Sequence, residues 1–137
     1  MMSNSQVLAE LLRQINEVPD FAGSEVTSPN SRNVLGDTPL HVAAVWGDMN
    51  AIRILVESGA LLDAPGEYGY TPLHEAIEQR NVEAALLLAA FGARLDIPND
   101  DGRTPLDIAR DYGPDFAVSL EAARVANVKE TGPNSKD

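Results

Sequence analysis

The sequence predicts an all-α solenoid of stacked helix-turn-helix units, and three observations carry that prediction. The segment Gly36-Asp37-Thr38-Pro39-Leu40-His41 recurs as Gly69-Tyr70-Thr71-Pro72-Leu73-His74 and again as Gly102-Arg103-Thr104-Pro105-Leu106-Asp107, at offsets of 33 residues. Self-similarity at such a period is the signature of a repeat architecture. Laying residues 33–65 on 66–98 gives 13 identities in 33 positions without a gap. Each Thr-Pro pair is followed by apolar residues at helical spacing, then by a break and a second, more apolar helical run. Helix pairs this short cannot bury their apolar faces alone, so the units must stack. The chain has 137 residues, 44% of them apolar, and no cysteine, which suits one domain whose core needs no disulfide.

The elements follow in order. Val7, Leu8, Leu11, Leu12 and Ile15 share one face of a helix predicted from about residue 5 to 17, which is expected to cover the exposed apolar side of the first full repeat. Docking of that face to a partner or membrane is the alternative. Residues 1–32 thus form a capping helix and a long loop rich in Pro, Ser, Asn and Gly, expected to make an enlarged first finger that is either functional or mobile. Three units occupy 33–65, 66–98 and 99–126. In the middle one, Thr71 is the expected helix N-cap and Pro72 the first helical residue, where no N–H is needed. Leu73, Ala76 and Ile77 face the core. Asn81 is expected to cap the second helix, which runs through Val82, Ala85, Leu86, Leu88 and Ala89 to Phe91-Gly92, glycine supplying the left-handed C-cap. Residues 127–137 read as a disordered tail.

The Thr-Pro-Leu-His-x-Ala pattern at this spacing resembles the ankyrin repeat, and the resemblance covers roughly residues 33–126. It implies antiparallel helix pairs joined by projecting β-turn fingers. Gly47 and Gly113 hold the usual inter-helix glycine, whereas Arg80 replaces it in the middle unit at a conformational cost. Asp107 replaces the histidine of the third unit, whose last helix is polar at Ser119 and Glu121, as suits the outer end of a stack. The resemblance also implies structural roles for Thr38, Thr71 and Thr104, and for His41, His74 and Asp107 at the fourth position, the histidines linking adjacent fingers.

It implies a location for recognition too, on the finger tips and outer ends of the first helices, the concave face. Matched residue by residue, the candidates are Val34, Leu35, Asp37, Val45 and Trp46 in the first unit. The second offers Glu67, Tyr68, Tyr70, Glu78 and Gln79, and the third Asp100, Asp101, Arg103, Asp111 and Tyr112. The single Trp and all three Tyr fall among these positions, and the three Phe do not. Trp and Tyr are enriched in binding hot spots. Six carboxylates and one arginine accompany them, so the expected partner is a protein with a basic surface.

The charge agrees with that expectation. Against 10 Lys and Arg stand 21 Asp and Glu, a net of −11, which disfavours nucleic acid and anionic membranes. No secretory signal or membrane span is read, so a cytoplasmic monomer is expected. Enzyme chemistry lacks its parts. Both histidines sit in the repeat motif and there is no thiol. The pairs Glu75/Glu78 and Asp100/Asp101 read as solvated, and Asp96 to Gly102 lacks the spacing of a calcium loop. No cofactor or metal is expected. The leading expectation is a non-catalytic protein-binding module. Lysine is scarce and Ala, Leu and Arg are abundant, which hints at a bacterial source; for a small stand-alone protein of that source the resemblance, with the acidic charge, implies an inhibitor or toxin-immunity role against a basic toxin. The alternatives are a scaffold or assembly subunit working through the N-terminal helix and first finger, and an enzyme using surface carboxylates.

Overall fold

Each unit starts where a threonine in extended backbone turns the chain into a helix. Thr38, Thr71 and Thr104 are the N-caps, each followed by proline at the start of the helix. The Thr71 and Thr104 hydroxyls accept from the amides of His74 and Asp107, at 3.3 and 3.0 Å. The residue three positions on returns the bond: His41 Nδ1, His74 Nδ1 and Asp107 Oδ2 each accept from the threonine's own N–H at 3.0 Å. These reciprocal bonds satisfy amides that the helix itself leaves unpaired.

A computed structural model of the protein describes the backbone of residues 1–131 and the side chains of residues 1–126. Among the described residues there are seven α-helices and no strand: α1 (Asn4–Asn16), α2 (Pro39–Trp46), α3 (Met49–Glu57), α4 (Pro72–Glu78), α5 (Val82–Ala90), α6 (Pro105–Tyr112) and α7 (Pro114–Thr131). The first helices α2, α4 and α6 stack in one layer, and α3, α5 and α7 in a second. Ala43, Ala76 and Ala109, 33 residues apart, are completely buried between the first helices, where a methyl lets the backbones approach closely. Leu55, Leu88 and Leu120 fill the second layer. Leu120 breaks the register by one residue, since a strict offset from Leu88 falls on exposed Glu121.

That slip begins at the inter-helix turn. In the first unit Gly47 has φ 70°, and a Cβ there would lie 2.9 Å from the Asn81 side chain. Asn81 does not cap its own helix as the sequence suggests. Its amide instead donates to the carbonyls of Ala44 and Val45 at the end of α2, both at 2.9 Å. It thus closes the preceding unit's helix and ties two repeats together. Arg80 holds the left-handed conformation expected of it, φ 59°. Gly113 does not match Gly47: at φ 162° it is extended, nothing lies near its Cβ direction, and α7 begins directly at Pro114. Accordingly, Gly47→Ala should cost about 1–2 kcal/mol in urea unfolding, whereas Gly113→Ala should stay within about 0.5 kcal/mol of the parent.

The N-terminal segment covers the first repeat. A Ser3–Gln6 capping box starts α1, and Leu11, Leu12 and Ile15 are buried against α2 and α3. The loop that follows is more than an enlarged finger. Its 3-10 turn, Pro19–Phe21, puts Phe21 fully into the core, and the Asn33 amide donates to Asp20 O at 3.0 Å. Further on, Asn30 Oδ1 accepts from the Leu61 amide just as Asp63 Oδ1, 33 residues later, accepts from Arg94. The repeat's hydrogen-bond pattern therefore reaches back into the loop. At the other end α7 continues to Thr131, into the segment expected to be a tail, and residues 132–137 lie outside the described residues.

Candidate functional site

The fingers are locked to one another by the two histidines. An amide N–H can only donate, so the bond from Thr38 requires a bare Nδ1 on His41 and places the ring proton on Nε2. That Nε2–H donates across to the Tyr70 carbonyl at 2.8 Å, and His74 does the same to the Arg103 carbonyl at 3.0 Å. Burial lowers both histidine pKa values, keeping the rings neutral. Asp37 adds a second tie, its Oδ1 accepting from the Glu67 amide at 2.9 Å. This approach explains Gly66: a Cβ there would meet Asp37 Oδ1 at 2.1 Å and His41 Nε2 at 2.8 Å. Among the described residues no finger follows the third unit, and Asp107, an acceptor only, suffices for its cap.

On this frame the predicted recognition residues separate into two groups. The first is engaged within the chain. Tyr70 is half-buried and tilted against His74, and its hydroxyl donates to Glu78 Oε2 at 3.0 Å. Burial and Glu78 push its pKa up to about 12. Tyr112 donates to Glu78 Oε1 at 3.2 Å and carries the Arg80 guanidinium 4.5 Å above its ring. Arg103 pairs with Asp111, and the Asp100 amide donates to the Tyr68 carbonyl. The second group is open. Tyr68 stands at the tip of the second finger, 70% exposed and in the left-handed conformation at φ 57°. Trp46 is 45% exposed at the end of α2, beside exposed Val45. Val34 and Leu35 project from the first finger, while Gln79 and Asp101 are simply exposed.

Of the open group, Val45 and Trp46 line a cleft of about 390 Å³. Its walls are Val18, Pro19 and Asp20 of the N-terminal loop, Asp37 of the first finger, and His41, Val42, Val45 and Trp46 of α2. Glu67 of the second finger and Glu75 of α4 complete it. Sequence reasoning assigned Asp20 and Glu75 no role here. A signal for Glu75 was nevertheless present: the equivalent residues, 33 positions away on either side, are Val42 and Ile108, both buried. Burial, reinforced by Asp37, Glu67, Glu78 and Asp20, raises the Glu75 pKa to about 7.

Two opposite pH effects follow. Glu75 binds its proton more tightly when folded, so its destabilising charge is present above about pH 7 and is relieved as pH falls toward 4.5. The histidines bind theirs less tightly when folded, so stability is lost as pH falls below their ordinary value of 6.5. Glu75→Gln should therefore be more stable than wild type at pH 8, and should lose stability more steeply between pH 8 and pH 5 in urea titrations.

Among the described residues, no cluster of three or more His, Asp and Glu side chains is arranged to hold a metal ion, and no helix is long and apolar enough to cross a membrane. Among known protein families, a model for ankyrin repeats, in three copies, matches residues 2–99. No curated protein matches the chain. The match takes in α1 and the loop, in line with the hydrogen-bond pattern that begins at Asn30. Ankyrin repeats generally mediate protein–protein interaction and are typically non-catalytic. With its all-helical stack, its threonine caps and this match over most of its length, the chain belongs to the ankyrin repeat family.

Proposed function

We propose that the protein is a non-catalytic binding module that recognises a protein partner with a basic surface through the acidic-aromatic concave face of its first two repeats. The observation that carries this reading is the open pair Trp46 and Tyr68, both well exposed and both set among carboxylates of neighbouring fingers and helices. Large rings left open to water are the side chains that most often dominate interfaces. Asp20, Asp37, Glu67 and Glu75 around the cleft would speed the encounter with a cationic surface and reject acidic ones. Glu78, Tyr70 and Tyr112 support the face from within, and Asp100, Asp101, Arg103, Asp111 and Gln79 form its polar edge. The same face suits the covering of a basic cleft on another protein, the inhibitor or immunity role that the resemblance implies. An assembly role through α1 has less support, because Leu11, Leu12 and Ile15 are already buried within the chain.

Affinity capture from native extract provides the test, with wild type beside a Trp46→Ala/Tyr68→Ala double variant. A basic protein retained by the wild type and lost by the variant is the expected result. The same proteins on both baits would contradict the proposed face.

A further inference from the structure

We propose that the cleft between the N-terminal loop, α2 and the second finger is the seat of a single arginine side chain of the protein partner. This rests on the binding reading above and names the chemical group that would anchor it.

Three independent features fit a guanidinium. The first is shape and lining. About 390 Å³ of space combines the faces of Val42, Val45 and Pro19, suited to an aliphatic stem, with the exposed ring of Trp46, on which a planar cation can stack. The second is Glu75. Its position is occupied by buried Val42 and Ile108 in the neighbouring units, so a carboxylate there is costly to the fold. Among the described residues no cation or hydrogen-bond donor engages that carboxylate, and its neighbouring charges are all acidic. A half-buried carboxylate without an internal partner, at a position that both neighbouring units fill with an aliphatic side chain, points to an external one.

The third feature is the disposition of the surrounding groups. Asp37 has one oxygen on the Glu67 amide, which orients its carboxylate at the cleft wall. Asp20 faces the cleft from the loop, which buried Phe21 and the Asn33 amide hold in place. Carboxylates thus approach from the loop, both fingers and α4, an arrangement that suits the five donors of a guanidinium better than a compact ammonium. The adjacent cation, Arg32, is not among the cleft's lining residues and donates to the carbonyls of Gly36 and Pro65. His41, also in the wall, is kept neutral by burial, and the Thr38 amide donates to its bare Nδ1.

Trp46 is the only tryptophan, so its emission reports on the cleft directly. The test titrates the protein at pH 8 and constant ionic strength with N-acetyl-arginine amide, N-acetyl-lysine amide and the uncharged isostere N-acetyl-citrulline amide. Saturable binding of the arginine compound is expected, at least tenfold tighter than the citrulline compound and tighter than the lysine compound. Glu75→Val, which restores the residue of the first unit, should bind arginine at least tenfold more weakly while unfolding at higher urea than wild type. Arginine binding should also weaken from pH 8 to pH 6 as Glu75 takes up its proton among Asp20, Asp37, Glu67 and Glu78. Equal binding of arginine and citrulline or of arginine and lysine, or an unchanged response in Glu75→Val, would overturn the proposal. Failure of the arginine compound, with capture of a basic partner still dependent on Trp46 and Tyr68, would remove the arginine seat and leave the binding face standing. Arginine binding with capture insensitive to those rings would do the reverse.

Discussion

His74→Ala should lower the free energy of unfolding by about 3–4 kcal/mol, the largest single-residue loss of stability foreseen outside the apolar core. The ring is fully buried, and its removal leaves the Thr71 amide without a partner and takes from the Arg103 carbonyl one of its two hydrogen bonds, the other coming from the Asn99 amide at 2.8 Å. An orphaned buried amide costs about 1–3 kcal/mol, and the lost carbonyl bond and vacated volume add to that. Against a total of about 5–15 kcal/mol, one such change is a large fraction of what holds a small domain together. His74→Asp separates the two roles. As Asp107 shows in the third unit, an aspartate at this position can accept from the threonine amide. It has no donor for the next finger, so its cost should fall between wild type and alanine. Urea unfolding followed by far-ultraviolet circular dichroism provides the measurement. Equal stability of wild type and His74→Ala would mean that the finger ladder contributes nothing.

For binding, the largest expected effect is that of Trp46→Ala combined with Tyr68→Ala. Truncating a hot-spot ring typically costs about 2 kcal/mol or more, or about 30-fold in affinity for each ring. The two side chains lie on different units, α2 and the second finger, and among the described residues no hydrogen bond holds either one. Their loss should leave folding nearly intact. Tyr70→Phe and Tyr112→Phe form the contrast. Their hydroxyls support Glu78, so these variants should alter local stability and weaken affinity far less. Calorimetric titration of the captured partner against the three variants distinguishes the outcomes, and equal losses from all of them would remove the distinction between open and engaged rings.

Most of the fold was legible because the repeat encodes its own local rules. A threonine cap, a proline at the helix start and an acceptor three residues on specify where each first helix begins, whatever surrounds it. The features that escaped were those set by contacts between units. Asn81 reads as a local cap by residue type, yet its amide serves the carbonyls of the previous repeat, 36 and 37 residues away. Phe21 lies in a segment with loop composition, and only the tertiary structure shows that it fills the core. Gly113 reads as the equivalent of Gly47, but the chain enters α7 one residue early and leaves that glycine extended.

The candidate site divides in the same manner. Repeat register located Trp46, Tyr68, Tyr70 and Tyr112 but could not show that Glu78 ties up two of the tyrosines. Glu75 was visible only as an exception, a carboxylate where both neighbouring units carry an aliphatic residue. Its environment depends on a loop and two fingers that come together only in the fold.

The most direct test of the binding face is amide hydrogen–deuterium exchange of the protein alone and with its captured partner. Slowed exchange at the first and second finger tips, at the ends of α2 and α4, and in the loop around Asp20 is the predicted result, with α1 and α7 unchanged. Protection confined to α1 or α7, with none around Trp46 and Tyr68, would contradict recognition through the acidic-aromatic face.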